Sequence, residues 1–309
     1  MTQRFTMFLD WEKNVQFAGL AWAEVHGLYR GAGLSVDIVP WAEDGRSMVE
    51  TVMAGRLCAG SAEDNLIVAA AASGAAPVTA LAAMFQTTPL VVMSQPGAGI
   101  RALRDLVGRR VAMHCDGIRI LEALLDLEGI PLNALEIAEV THDLGNLTSG
   151  KWDAVQGYAV AEPLELASRG IAVDCLTLRS PRLHPYAQVI FADRSEVAAN
   201  FDVFAAFLRA TFEGWTACLN DLPGAAAAIK AVGAPMADPT REAEALARVR
   251  SLVRGEGAGR LGALDRQRWA DNVAAYAAVG IIPNGTPGDC ALHSGTLTGA
   301  AHPQATSGG

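Results

Sequence analysis

The chain has 309 residues, 51% of them hydrophobic and 18% charged, which is enough for two lobes that each bury a core. Its net charge is −9 with no block of Lys or Arg, which argues against binding to nucleic acid or to an anionic membrane. Five cysteines lie far apart, without a C-x-x-C pair, and match neither a disulfide framework nor a zinc site. The apolar stretch 66–85 is long enough to span a bilayer. Gly74 and Pro77 break it, however, into helix, turn and strand, so no membrane insertion is expected. Residues 1–9 carry no basic segment followed by an apolar one, so the chain as it stands is expected in the cytoplasm, or outside it after removal of a leader.

In chain order, "RFTMFL" reads as a strand and "FAGLAWAEVHGLY" as a helix. "LSVDIVPW" alternates apolar and polar residues as a strand does. "GRSMVETVMAGRL" is a helix, "CAGSA" a short strand end, "EDNLIVAAAAS" a helix and "PVTALAAMF" a strand. Leu90 to Ser94 follows as a strand ending in a Gly/Pro turn. A second run comes next: a strand to His114, the helix "GIRILEALLDLEGI", and strands at "LEIAEV", Ala154 to Gly157, "AVDCLTL" and "YAQVIFAD". The remainder is helical to about residue 283. This alternation predicts an α/β fold with largely parallel sheets. The strands "PLVVMS" and "AQVIFAD" flank a self-contained α/β run. The expected division is therefore lobe 1 at 1–92 and 190–283, an inserted lobe 2 at 93–189, and a flexible tail at 284–309. Ligand then belongs in the cleft between lobes, at strand C-termini.

Five segments in order carry a family resemblance over about residues 4 to 283. "FLDWEKN" is similar to a strand-end Asp/Asn-Trp-x-x-Asn signature, and "AEVHGLYRGAGLSVDIVP" to a helix, turn and Gly-Leu-x-Val strand. "IRALRDLVGRRVAM", "SGKWDAVQGYAVAEPLELASRG" and "RWADNVAAYAAVGII" complete the set. Together they resemble the substrate-binding-protein superfamily that contains thiamine pyrimidine synthase and the thiamine-precursor and sulfonate-binding proteins of ABC transporters. The resemblance implies a periplasmic-binding-protein-like (Venus flytrap) architecture: two lobes, a two-strand hinge, and ligand trapped by closure. In the synthase a Lys holds pyridoxal phosphate, a His is consumed and a Cys-rich run precedes the second hinge strand. "GSAEDNLIVAAAASG" places Ala62 at that Lys and Leu66 at that His, and "RSPRLHPY" has no Cys, so those residues do not carry over. Phe17 stands where related precursor binders often carry His.

The candidate ligand contacts sit at predicted strand ends. Trp11 can stack on a flat heterocycle while Asp10 and Asn14 hydrogen-bond its edge, although Asn14 also suits a helix cap and Trp11 a packed hinge. Glu63 and Asp64 open a helix, where acids suit the helix dipole as well as a cationic or N–H-rich ligand. His114 and Asp116 stand at a turn into a helix, a place for an anion. Adjacent His114 and Cys115 point to opposite faces, which argues against a catalytic dyad. Tyr158 and Glu162 follow a strand, the resemblance placing a ligand-facing acid near Glu162. Trp41, Gln86 and Tyr186 complete the set with Phe17; such lone residues are more often packing than site, and position at strand C-termini is what brings Trp41, Gln86 and Tyr186 into it.

The expected function is binding of a thiamine pyrimidine precursor-like heterocycle without a cofactor, with delivery to an ABC permease. The alternatives are a synthase-like enzyme using pyridoxal phosphate, a lyase or decarboxylase on the same scaffold, and a cytoplasmic sensor. Lys13, Lys151 and Lys230 are the only lysines, and Lys13 alone is expected near the cleft.

Overall fold

The computed structural model describes residues 2–40, 42, 45–139, 144–233, 239–255 and 260–294. The first α/β run comprises β1 (Gln3–Phe8), α1 (Ala18–Val25), α2 (Leu28–Gly31), β2 (Leu34–Val39), α3 (Met48–Ala54), β3 (Cys58–Ala62), α4 (Asp64–Ala72) and β4 (Val78–Phe85). The second holds β5 (Leu90–Ser94), β6 (Arg110–Met113), α5 (Cys115–Leu127), β7 (Glu136–Glu139), α6 (Gly145–Thr148), β8 (Ala154–Tyr158), α7 (Glu162–Ser168) and β9 (Asp174–Thr177). The chain then returns through β10 (Ala187–Asp193) to α8 (Arg194–Ala199), α9 (Phe201–Asn220), α10 (Leu222–Ala231), α11 (Pro239–Arg254) and α12 (Arg266–Ala278).

Two five-stranded sheets result, ordered β2-β1-β3-β10-β4 and β7-β6-β8-β5-β9. Each is mixed. β1 runs parallel to β2 and β3, and β6 parallel to β7 and β8. β10 is antiparallel to β3 and β4, and β5 to β8 and β9. The antiparallel strand in each sheet is the one that follows a crossover, because the chain enters each sheet from the other lobe rather than through a βαβ unit. β5 pairs within the second sheet, so the crossovers are the short segments 86–89 and 178–186, a few residues before the expected division on each side.

β4 is buried at all eight positions although it lies at a sheet edge. An apolar edge strand is an aggregation hazard unless something covers it. Here Ala80 N–H donates to Ala291 O (2.6 Å), His293 N–H to Ala80 O (3.1 Å), and Ala83 N–H to Gly262 O (3.1 Å). Residues 284–294, expected as part of a flexible tail, therefore include the cover of this edge, with Ala291 buried. Residues 295–309 lie outside the described residues.

The helical layer of lobe 1 packs tightly. A Cβ on Gly19 in α1 would stand 2.2 Å from the Trp215 ring of α9, so only glycine allows that approach. The two lobes also share apolar packing. One buried cluster joins Ile67, Trp269 and Tyr276 of lobe 1 to Val111, Leu121 and Leu124 of lobe 2, with α12 against α5.

Candidate functional site

The C-terminal ends of β1, β3 and β8, with the start of antiparallel β10, meet where the lobes face each other. Asp10 is fixed there from two sides. Ser61 Oγ donates to Asp10 Oδ1 at 2.8 Å, and Gln188 Nε2 donates to Asp10 Oδ2 at 3.2 Å. Asp10 N–H donates to Ser61 Oγ at 3.1 Å, locking the end of β1 to β3. Gln188 Nε2 also donates to Gln16 Oε1 at 3.2 Å. Beside this network Trp11 is 47% exposed, unusual for the largest apolar side chain.

Two residues beyond Ser61, Glu63 reaches across to lobe 2, where the Tyr158 hydroxyl donates to its Oε1. Tyr158 N–H donates to Glu162 Oε2 at 2.6 Å, so the start of α7 is tied to the end of β8. A second bridge joins the lobes where Arg248 Nη1 donates to Ala159 O at 2.7 Å. Asp10 thus belongs to one hydrogen-bonded group and Glu63 and Glu162 share a second through Tyr158, the two lying side by side at the end of β3.

The start of α5 is filled by the protein itself. Gln156 projects from β8 so that His114 N–H donates to its Oε1 at 3.1 Å. A Cβ on Gly117 would lie 2.0 Å from that oxygen, so the amide packs directly on the first turn of α5, in the space an anion there would need.

Asp64 is 1% exposed and serves a different network. Its Oδ1 accepts from Tyr276 Oη (2.7 Å), and its Oδ2 from Tyr186 N–H (2.9 Å) and Asn272 Nδ2 (2.9 Å). Burial pushes its carboxyl above the ordinary Asp range despite these donors. Tyr186 is buried under the Arg268 guanidinium, 3.6 Å from its ring centre, and its hydroxyl accepts from Asp265 N–H at 2.9 Å. Burial raises the Tyr186 and Tyr276 hydroxyls and lowers Arg268.

The remaining candidates divide by place. Asn14 caps a short helical turn, its Oδ1 accepting from Gln16 N–H at 2.8 Å. Phe17, 2% exposed, belongs to the lobe 1 core. Gln86 donates to Ala83 O (3.3 Å) and Ala263 O (3.0 Å), tying β4 to the loop before α12. Phe17 thus packs in the lobe 1 core, Asp64 and Tyr186 share a buried network of their own, and Gln86 bonds to backbone. Trp41 and the Asp116 side chain lie outside the described residues. Lys13 Nζ donates to Val232 O at 3.1 Å, which turns it toward the helical layer of lobe 1. It borders an open depression of about 710 Å³ with Glu24, Arg30 and Asp37. Among the described residues no group of three His, Cys, Asp or Glu side chains is placed to hold a metal ion. None of their helices is long and apolar enough to cross a membrane.

Gln156 lies in the "WDAVQGYAVAEP" stretch with Tyr158 and Glu162, whereas nothing in the sequence singled out Ser61 or Gln188. The one available signal was polarity inside otherwise apolar strands, as in "AQVIFAD".

The NMT1/THI5 like family profile matches residues 14–225, well over half of the chain. The chain belongs to the NMT1/THI5-like family. A search of curated proteins found no match. Among solved structures, this family member is similar to the alkanesulfonate-binding protein SsuA from Xanthomonas axonopodis pv. citri bound to MOPS. The TM-score is 0.70 at 14% identity, over 94% of this chain and 98% of that one. A Candida albicans protein with the generic periplasmic binding protein fold matches at TM-score 0.69 and 13% identity, over 97% and 99%. The desulfurization enzyme DszB matches at TM-score 0.61 and 13% identity, over 95% and 98%. The fold of this NMT1/THI5-like protein is therefore that of the periplasmic binding proteins, two α/β lobes around a cleft.

Proposed function

We propose that this protein is a substrate-binding protein that closes on a small, flat, neutral or cationic heterocycle bearing N–H donors, such as an aminopyrimidine precursor of thiamine. The observation that carries this reading is the acceptor-rich neighbourhood of Asp10, Glu63 and Glu162 beside the exposed Trp11 ring. Carboxylates accept hydrogen bonds from amino groups and repel anions, while an indole face stacks on any flat ring. The start of α5 is occupied by Gln156, which weakens the case for a sulfonate there. Solved structures of the same fold described as sulfonate-binding proteins support a binding role, and the ligand proposed here differs in charge. Delivery to an ABC permease outside the cytoplasm is part of the proposal, supported by similar structures described as periplasmic sulfonate-binding proteins, one of them of an ABC transporter.

A second reading, an enzyme on this scaffold, draws on the likeness to DszB. In its pyridoxal phosphate form it needs a lysine in the cleft, and Lys13 is directed to Val232 O instead. The binding reading requires no cofactor.

Isothermal titration calorimetry with the aminopyrimidine thiamine precursor, MOPS and biphenyl-2-sulfinate tests the proposal. Binding of the pyrimidine alone is expected, with Glu162→Gln weakening it. Binding of either anion with an inert pyrimidine would overturn it.

A further inference from the structure

Gln188 combines three features that no fold requirement explains together. Its backbone lies in the left-handed region at φ +51°, inside a strand, where glycine or asparagine is the unstrained choice. Its side chain is 2% exposed. Its Nε2 serves Asp10 Oδ2 and Gln16 Oε1, while its Oε1 is buried with no hydrogen-bond partner among the described residues.

The amide cannot be turned around to relieve this. Asp10 as a carboxylate only accepts, so the amide nitrogen must face it and the oxygen must face away. A buried acceptor left unmade is costly and rare, and it marks a place where another group belongs. The position of Gln188 says where. In the antiparallel pairing of β10 with β3, Val189 stands opposite Ala62, so Gln188 falls beside Glu63 at the end of the strand. On its other side Ala187 stands opposite Phe85, the last residue of β4. Gln188 therefore sits at the lobe 1 strand ends, bonded to Asp10 and in register with Glu63.

The structure assigns Gln188 as a specificity-determining residue whose Oε1 accepts a hydrogen bond from an N–H or O–H donor of the ligand. This rests on the binding reading above and deepens it. The left-handed backbone aims the amide, and Asp10 and Gln16 hold its nitrogen so that only the acceptor is offered. In the closed arrangement the oxygen is covered, so a donor reaches it when the lobes part and is sealed against it when they close.

Calorimetry on the full chain tests this, with the aminopyrimidine thiamine precursor and its 4-dimethylamino counterpart, which lacks the N–H, as probes. Wild-type protein is expected to favour the amino compound by about tenfold or more, the worth of one hydrogen bond to a buried acceptor. Gln188→Met, which keeps the side-chain length, and Gln188→Gly, which relaxes the backbone, are expected to bring that ratio close to one. A ratio retained in either folded variant overturns the assignment. Wild-type protein that binds neither compound sinks the functional reading, and a crystal structure of the open wild-type chain then decides Gln188 separately. A water or solute donor on Oε1 facing the cleft upholds the assignment for another donor ligand. An Oε1 bonded to one of the protein's own N–H or O–H groups overturns it.

Discussion

Asp64 offers a quantitative test of what its buried carboxylate does. It accepts from three donors, Tyr276 Oη, Tyr186 N–H and Asn272 Nδ2, at 2.7–2.9 Å. Asp64→Ala orphans all three in a site closed to water. At about 1–3 kcal/mol for each orphaned donor, partly relieved by rearrangement, the expected loss is roughly 3–6 kcal/mol. That is a large part of the stability of about 5–15 kcal/mol typical of a globular protein. Asp64→Asn behaves differently. Its Oδ1 can take the two donors now on Oδ2, its Nδ2 can face Tyr276, and the tyrosine hydroxyl can turn to accept. The expected cost is within about 1 kcal/mol. The pH dependence follows from the raised carboxyl. Between the ordinary Asp value and its raised native value, the folded chain holds a proton that the unfolded chain has released. This group's contribution therefore falls as pH rises through that window and is constant on either side. Asparagine removes the slope. Urea unfolding of the three proteins from about pH 4 to pH 8 measures both effects. An Asn variant as unstable as the Ala variant would refute the reasoning. It would show that negative charge beside Arg268, rather than the count of acceptors, holds the network.

Trp11→Ala is expected to move the unfolding midpoint by less than about 0.5 kcal/mol, since the ring is half exposed, yet to abolish aminopyrimidine binding; unchanged affinity removes its stacking role. Gly117→Ala pushes the movable end of Gln156 off His114 N–H and should cost about 1 kcal/mol, the worth of that hydrogen bond, read by thermal unfolding. Alkylation near neutral pH should label the exposed Cys175 well before Cys58 and Cys218. Burial pushes those two thiols up to about 11 and about 12, so mass spectrometry should find them protected until the chain unfolds.

Much of the fold was legible because its strands are short apolar runs bounded by turn residues. Leu90 to Ser94 forms β5 with the expected ends, and the alternating "LSVDIV" forms β2. The direction of pairing was less legible. β5 and β10 look like any buried strand, and only the crossovers make them antiparallel. The site was legible where residues act locally. Asn14 is the cap its position allows, and Tyr158 and Glu162 meet across four residues. It was illegible where partners are distant. Asp64 reads as a helix-opening acid, but Asn272 and Tyr276, more than 200 residues later, enclose it. The Gly- and Thr-rich segment after Pro283 has no strand pattern, because backbone pairing alone covers β4 there.

The packing of α12 on α5, with the Glu63–Tyr158 and Arg248–Ala159 bridges, has a kinetic consequence. Where these contacts are made, the lobes must part before anything enters the cleft. Observed association rates should then level off as ligand concentration rises, at the rate of spontaneous opening. The free energy holding the lobes together also lowers the apparent affinity, by the fraction of time the cleft stands open. Loosening the shared apolar contact, far from any ligand, should therefore speed capture.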